Sequence, residues 1–358
     1  MSDAVVTDLA PAVRQPVVKR PTFVVLSRAL AVALVAGLLL TAYLWATTEA
    51  KPRDVPLGIV GPGEAVTQIE GALGQAIPGG FAVRQVDSAD QARELVRQRE
   101  LYGALVLEPT GMTLVTASAA SAPVARLLEA LPGRLASAGG PANVTVEDLV
   151  PLPSADPNGS GFGLMVILLS LVGLLSGALT VLTVRGWRLR AVTAVSCGVA
   201  IGLTAAALAG PWLGVLPNGY WANAGLIALG CSAVALSVVG AHGLGGAAAM
   251  PVVALLVFGG NPFSGAQASS LMLPEGWAQV GQVLPPGALA SALRSQAYFG
   301  GTGAGGGFAI LGAWAVAGIA ALMLGAWLRR SREHSYAAGT ATAAPGTRIL
   351  DSAPAGLA

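Results

Sequence analysis

The chain has 358 residues and a formal net charge of +2; 54% of its residues are hydrophobic and only 11% are charged. Soluble domains carry roughly a quarter charged residues, so this composition excludes a wholly soluble fold. The near-neutral charge also excludes the strongly basic field that nucleic-acid binding requires, so we expect no nucleic-acid partner.

The shortage of charge is concentrated in the second half of the chain. Between Pro157 and Leu328 one acid and four bases occur: Glu275, Arg185, Arg188, Arg190 and Arg294. A membrane-spanning helix needs about 20 apolar residues, so segments this poor in charge are predicted to cross a membrane. The first such run is longer than a secretory signal core, which predicts a retained anchor. The six predicted spans are 24–46, 162–184, 191–215, 221–241, 244–260 and 306–328.

The arginines predict the orientation of these spans. Basic clusters precede the first span, separate the second from the third, and follow the sixth. With six spans and a cytoplasmic N-terminus, all three clusters fall on the cytoplasmic side, as the positive-inside rule requires. The predicted organisation is a cytoplasmic tail (1–21), a first helix (22–47), an extracytoplasmic domain (48–160), a five-helix membrane domain (161–330) with an outer re-entrant loop (260–304), and a disordered cytoplasmic tail (331–358).

The segment between the first two spans has a different composition and predicts a compact domain. Short β-type runs alternate with amphipathic stretches, in the order β-α-β-α-β-β-α-β. Ser88 with Gln91 predicts a capping box at the start of the second helix. Ser121, followed by Pro123, predicts the start of the third. The predicted fold class is therefore a mainly α membrane protein with six transmembrane helices (1 + 5). One α/β (α+β) domain is inserted between helices 1 and 2.

The sequence offers little for catalysis. Gly301, Gly303 and Gly306 match a dinucleotide-binding pattern, but no strand precedes them and no acid follows at the required distance. No phosphate-binding Gly-Lys-Ser/Thr loop occurs, because no lysine follows Lys51. The two histidines and two cysteines form no metal-ligand pattern. We therefore expect no enzymatic activity, no cofactor and no metal in this chain.

Two sets of residues, one in the predicted spans and one in the loops between them, suggest specific roles. Four glycines, spaced by four in the second and third spans, predict close helix packing, either inside the bundle or at a dimer face; they are Gly173, Gly177, Gly198 and Gly202. A second set lies at the predicted cytoplasmic side and can either fix topology or dock an acidic partner; it comprises Arg185, Arg188, Arg190 and His242.

Residues 22–330 together resemble the ABC-2 type membrane-protein superfamily, most closely the Pip/YhgE-like and DUF3533-like proteins of Gram-positive bacteria. The similarity lies in "FAVRQVDSADQARELVRQRELYGALVLEP" (81–109), "FGGNPFSG" (258–265) and "LPEGWAQVGQVLPPGALASALRSQAYFGG" (273–301). The resemblance implies a permease whose last outer loop is a short helical hairpin dipping into the outer leaflet.

The residues permit such a hairpin independently of the resemblance. The stretches 276–283 and 287–299 would each cross about half of a ~30 Å hydrocarbon core as helices. The alternative is an exposed loop with an amphipathic surface helix. If the halves fold together, Glu275 and Arg294 are expected to pair. The predicted outer-gate residues are Asn261, Pro262, Glu275, Pro285, Pro286 and Arg294.

The expected function is that of a permease subunit of an ABC-2-like exporter in a bacterial cell membrane. It would move an amphipathic or lipid-like substrate, contact membrane lipid, and form a homo- or heterodimer with a separate ATPase. The short loop 185–190 and the lack of a cytoplasmic coupling helix depart from this pattern. The alternative is a non-transporting scaffold or surface receptor whose outer domain binds a partner.

Overall fold

The computed structural model describes residues 21–108, 111–137, 144–267 and 269–342. The chain divides into two compact units, residues 1–45 and residues 46–358. The first contains most of α1, a 28-residue helix at Pro21–Thr48. Apolar side chains such as Val25, Leu34 and Leu40 are exposed along it. A helix that is apolar on all sides is typical of a membrane span.

Five helical runs in the described residues are long and apolar enough to cross a membrane. Their number and composition are those of a multi-pass membrane protein. They are Phe23–Thr48, Ser160–Thr183, Trp187–Trp212, Tyr220–Phe263 and Gly305–Ser331.

A five-stranded sheet follows α1, and all eight elements predicted for this region are confirmed in order. The strand order is β2-β1-β3-β4-β5, and the β3–β4 pair is antiparallel whereas the other pairs are parallel. We call residues 55–148 the sheet domain. Its elements are β1 (Val55–Val60), α2 (Gly63–Ala76), β2 (Phe81–Gln85), α3 (Ala89–Arg97), β3 (Gly103–Glu108), β4 (Gly111–Thr116), α4 (Ala122–Ser137) and β5 (Val144–Asp148).

Both faces of this sheet are covered, because successive residues of a strand point to opposite faces. In β3, Ala104 and Val106 belong to the core under α3. Leu105, between them, belongs to the opposite core with residues of α2 and α4. The predicted caps are confirmed as well. Ser88 accepts the N–H of Gln91 at 3.2 Å, and Ser121 accepts the N–H of Val124 at 3.4 Å.

The remaining elements form a helical block, residues 160–342. Its helices are α5 (Ser160–Thr183), α6 (Trp187–Ala207), α7 (Tyr220–Gly245), α8 (Met250–Gly260), α9 (Trp277–Val283), α10 (Pro285–Tyr298) and α11 (Gly305–Thr342). A π-helical turn at Leu208–Trp212 extends α6. The most buried of the membrane-length runs is the one that begins with α7, and 78% of its most apolar window is buried.

Glycines let the neighbouring helices approach α7 closely. A Cβ on Gly177 of α5 would lie 2.8 Å from Val238, and one on Gly202 of α6 would lie 2.3 Å from the carbonyl oxygen of Ala224. Gly173 and Gly198 likewise face α7, at Val234 and Ser232. All four predicted packing glycines therefore lie at helix contacts within this chain, which leaves no free face at these positions for a dimer.

The predicted fourth and fifth spans form one continuous run, Tyr220–Phe263, that turns back on itself. The chain bends at Gly246, whose φ of +65° suits glycine. Val253 and Val257 of α8 then pack in one cluster with Val234 and Val238 of α7, so α8 folds back along α7. The 11 residues of α8 extend only about 16 Å. This helix alone is therefore too short to cross a bilayer.

The predicted disordered tail is wrong for its first part. Helix α11 continues beyond the apolar run and ends at Thr342. Its apolar section stops near Ser331, so the last turns are helical without being membrane-like. Residues 343–358 of the predicted tail, and residues 1–20 at the other terminus, lie outside the described residues.

Candidate functional site

The stretch after α8 forms a helical hairpin, α9–α10, close to the predicted boundaries. The predicted break at Pro285 and Pro286 is displaced, because both prolines are the first residues of α10. Proline suits the first helical turn, where its missing N–H has no partner to lose. The chain reverses instead at Leu284, which is extended, with φ −88° and ψ 151°.

Helix α10 is inserted among the long helices and is not an exposed loop. Leu289 packs on Gly230 of α7, and Ala292 packs on Gly307 of α11. Gly230 lies about 15 Å along α7 from Tyr220 at 1.5 Å per residue. Since α7 has 26 residues, the hairpin reaches over about two fifths of its length. The alternative of an amphipathic surface helix is therefore wrong for α10.

Backbone contacts hold the tip of the hairpin. A Cβ on Gly281 would lie 1.8 Å from the carbonyl oxygen of Phe263, and one on Gly287 would lie 2.1 Å from the carbonyl oxygen of Gly281. The rings of Phe263 and Trp277 stack with centroids 4.5 Å apart. Trp314 of α11 donates to the carbonyl of Val283 at 2.9 Å. Any side chain larger than glycine at the two tip positions would force these segments apart.

Two predicted gate residues, Asn261 and Pro262, lie in a short 3₁₀ turn beside this tip. Asn261 is buried, and its amide donates to the carbonyl of Val257 at 3.1 Å. The hydroxyl of Ser170 on α5 donates to Oδ1 of Asn261 at 3.4 Å. Asn261 thus links α5 to the end of α8. Because Asn261 is buried, an amide group without hydrogen-bond partners there would lower the stability of the fold.

The predicted pair of Glu275 and Arg294 is wrong. Glu275 is exposed and forms no ion pair among the described residues, whereas Arg294 points into the protein. Arg294 donates to the carbonyls of Gly265 and Ala266 at 2.9 and 2.8 Å. Its guanidinium lies 4.8 Å from the centroid of the Phe162 ring. Carbonyl oxygens of the preceding loop, and not the carboxylate, are therefore its partners.

The sheet domain is joined to α10 through Arg99. This residue follows α3 and has a φ of +63°, a conformation that glycine usually takes at a helix end. Its guanidinium donates a hydrogen bond to the hydroxyl of Ser295 and lies 5.3 Å from the centroid of the Phe299 ring. Sequence reasoning missed Arg99, because its neighbours in the sequence do not distinguish it from the arginines within α3.

Side chains from the end of α10 also complete the sheet domain. Phe299 belongs to the buried core under α3, and Tyr298 packs against the same core. The segment before α9 contributes further contacts. Ser269 donates to the hydroxyl of Tyr102 at 3.2 Å, and the carbonyl of Met272 accepts the backbone N–H of Lys51 at 3.2 Å. The hairpin and the sheet domain therefore form one packed structure.

A cavity of about 590 Å³ lies between the sheet domain and the helical block. Its lining includes Glu94 and Arg97 of α3 together with Tyr298 and Phe299. A smaller cavity of about 20 Å³ adjoins it, since Leu152 and Tyr298 line both. Arg294 lines the smaller one.

The predicted coupling residues separate into two groups at the opposite end of the helices. Arg185 and Arg188 are exposed. Arg190 instead donates to the carbonyls of Val181 and Val184 at 3.0 and 2.8 Å, which satisfies the last turn of α5. Arg329, from the basic cluster that follows the sixth predicted span, donates to the carbonyl of Gly243 at 2.8 Å.

Comparison with known proteins adds no assignment to this geometry. The chain matches no family model, no curated protein and no solved structure. The resemblance to the ABC-2 superfamily therefore stays a prediction, and the function has to be argued from the residues.

Proposed function

We propose that this chain is the permease subunit of an ABC-2-like exporter that moves an amphipathic or lipid-like substrate outward. The observation that carries the proposal is the α9–α10 hairpin. Broken backbone at membrane depth is tolerated only where protein or a water-filled cavity surrounds it, and in transporters such segments form the pathway. The hairpin is enclosed by α5, α7, α8 and α11, and the sheet domain bonds its end through Arg99.

The topology we propose has six crossings in a bacterial cell membrane, with both termini cytoplasmic. The fifth crossing would be made by α8 together with the 3₁₀ turn and loop that follow it. The position of Gln267, in the loop after α8, supports this path. It lies against the start of α5, where a Cβ on Gly163 would be 2.7 Å from its side chain. The chain thus returns to the level of the sheet domain. The arginines at the opposite ends of the helices support a cytoplasmic position there.

An apolar groove supports an amphipathic substrate that enters from lipid. It has a volume of about 590 Å³ and lies between α5 and α6, next to the π-helical turn. Leu168, Val172 and Ile201 are among the apolar side chains that line it. A groove of this chemistry suits acyl chains or other hydrocarbon, whether of membrane lipid or of a substrate.

Energy for transport would come from a separate ATPase, in a homo- or heterodimeric assembly. Arg185 and Arg188 are exposed, and the guanidinium of Arg188 lies 5.3 Å from the centroid of the neighbouring Trp187 ring. Exposed arginines suit docking on an acidic surface. Affinity purification from native membranes tests this directly. We expect an ATPase to copurify, and we expect Arg185→Gln/Arg188→Gln to weaken its recovery while leaving insertion of the chain unchanged.

The matched control is Arg84→Gln, which removes an exposed arginine from the sheet domain. If the parent chain, the double variant and the control all recover the same amount of ATPase, Arg185 and Arg188 fix the topology and do not dock the partner. Absence of any ATPase, together with no lipid movement in proteoliposomes, would contradict the exporter assignment.

The second candidate is a non-transporting scaffold or receptor whose sheet domain binds a partner. The cavity between the sheet domain and the helical block favours it, because a ligand there would touch both parts. The two functions differ in whether a substrate moves across the membrane. A receptor would bind its ligand without moving any substrate across a liposome membrane, whereas an exporter would bind a substrate and move it.

A further inference from the structure

Two guanidinium groups without carboxylate partners lie next to each other where the sheet domain meets α10. Arg294 is bonded to two backbone carbonyls, and Arg99 is bonded to the hydroxyl of the adjacent residue, Ser295. The ion pairs within the described part of the chain involve Arg84 and Arg93, not these two. Carbonyl dipoles and aromatic faces stabilise a cation but do not neutralise it.

Arg99 also carries an unused donor. Its Nε is buried and has no hydrogen-bond partner within the described residues. Its left-handed backbone is one that glycine would adopt without strain. A strained arginine with a free buried donor is an outlier of the kind that clusters at ligand-binding positions.

The small cavity beside Arg294 has a mixed lining, apolar at Leu152 and Phe162, and includes several groups that suit an anion. The first turn of α4 borders it at Ser121 and Ala122, and the N-terminus of this 16-residue helix carries a partial positive charge. The side-chain amides of Asn158 and Gln267 also line it. Asn158 accepts from Arg126 through Oδ1, which leaves its NH₂ group available.

Two carboxylates near the small cavity are already committed. Asp156 accepts the backbone N–H groups of Gly161 and Phe162 at 3.0 and 2.8 Å, at the start of α5. Asp148 accepts the N–H and hydroxyl of Ser118 at 3.1 and 2.6 Å. Each therefore serves a local backbone or side-chain donor, and neither pairs with an arginine of the junction.

The sizes of the two cavities indicate how a ligand would lie. About 20 Å³ holds one water-sized atom, so the small cavity accommodates one phosphate oxygen but not a whole phosphate. The rest of the group and its substituent would extend past Leu152 and Tyr298 into the cavity of about 590 Å³. That cavity adds Arg97, Glu94, whose carboxylate accepts from Gln98 at 2.7 Å, and apolar walls from Pro151, Pro153 and Phe299.

We propose that this junction is a phosphate-binding site, with one phosphate oxygen facing Arg294 and the N-terminus of α4. Arg99 lines neither cavity, but through its bond to Ser295 it adds a second positive charge close to Arg294. The phosphate can belong to an amphipathic molecule whose apolar part lies in the large cavity, or it can be free inorganic phosphate. The site does not depend on transport, so it stands or falls separately from the exporter assignment.

Calorimetric titration of the purified full-length chain in a neutral maltoside detergent tests the site, with dodecyl phosphate and inorganic phosphate as separate ligands. We expect saturable binding, weakened about tenfold to a hundredfold in Arg294→Gln through loss of charge-assisted hydrogen bonds. Arg84→Gln removes an exposed arginine of β2 and should bind like the parent chain. Binding of dodecyl phosphate alone assigns the site to an amphiphile, and equal competition by inorganic phosphate assigns it to the free anion.

Leu152→Trp provides a second variant in case Arg294→Gln does not fold. It adds bulk at a residue that lines both cavities and replaces neither hydrogen-bond acceptor of Arg294. It should abolish dodecyl phosphate binding in a folded protein. Equal affinity in the parent chain, Arg294→Gln and Leu152→Trp would overturn the proposal, as would no binding of either ligand to the parent chain.

Discussion

Nη1 of Arg190 lies 3.3 Å from Nδ1 of His242, which joins the start of α6 to the end of α7. A guanidinium has only donors, so Nδ1 of His242 is the acceptor and its ring proton resides on Nε2. The same arginine satisfies two carbonyls of α5. Three helices therefore meet at one side chain, and Arg190 has a structural role that Arg185 and Arg188 lack.

We predict that Arg190→Gln lowers the stability of the protein in detergent by about 1–3 kcal/mol, because hydrogen bonds to a charged group are lost and carbonyls of α5 become unpaired. Arg188→Gln, which removes an exposed arginine two residues earlier, is the control and should change stability by less than about 0.5 kcal/mol. Thermal unfolding of both variants provides the measurement. Equal melting temperatures would contradict this role.

Close packing of α6 on α7 gives a second prediction. At Gly202 an added Cβ would lie 2.3 Å from the carbonyl oxygen of Ala224, so Gly202→Ala must push the helices apart. We expect a loss of about 1–3 kcal/mol, the usual range for overpacking. Gly225→Ala, on α7 with nothing within 4 Å, should be neutral or gain up to about 1 kcal/mol from helix propensity. Similar unfolding curves for the two alanine variants would rule out the close contact.

Phe299 should stabilise the sheet domain even though it follows α10. Because it belongs to the core under α3, Phe299→Ala should cost about 3–5 kcal/mol and lower the hydrogen-exchange protection of α3 and β3. Phe308→Ala is the matched control, since Phe308 lies on α11 with 39% of its surface exposed. Unchanged protection of β3 in Phe299→Ala would show that the sheet domain is independent of the hairpin.

The proposed orientation predicts which positions a membrane-impermeant thiol reagent can reach. Thr145→Cys on β5 should react in intact cells, because the sheet domain is proposed to be extracytoplasmic. Arg185→Cys should react only after permeabilisation. Both positions are exposed, so a lack of reaction cannot be attributed to burial. Labelling of Arg185→Cys in intact cells would overturn the topology.

The sheet domain was predicted well because its signals are local. Strand alternation and the caps at Ser88 and Ser121 depend on residues a few positions apart, and all eight elements appear in the predicted order. The hairpin was also predictable, since prolines restrict the backbone wherever they occur. The position of the reversal, Leu284, could not be predicted, because a proline such as Pro285 can either begin a helix or interrupt one.

Long-range contacts could not be predicted in the same way. Arg294 was expected to pair with Glu275 on charge alone. Its hydrogen bonds go instead to the carbonyl oxygens of Gly265 and Ala266. The segment 244–260 is apolar throughout, so composition could not distinguish one full span from a short helix followed by a turn. Arg99 and Phe299 matter because of contacts between distant parts of the chain. The spacing of residues within a single helix or strand carries no information about such contacts.

The position of Tyr298 and Phe299 within the core under α3 has a consequence for biosynthesis. A ribosome completes all five strands of the sheet well before it reaches α10, so the newly made sheet domain exposes the surface that these two rings will later cover. Until then this apolar surface has no cover, and exposed apolar surface promotes aggregation. A secreted fragment that ends after β5 would keep this defect permanently, and its yield should improve when that surface is made more polar.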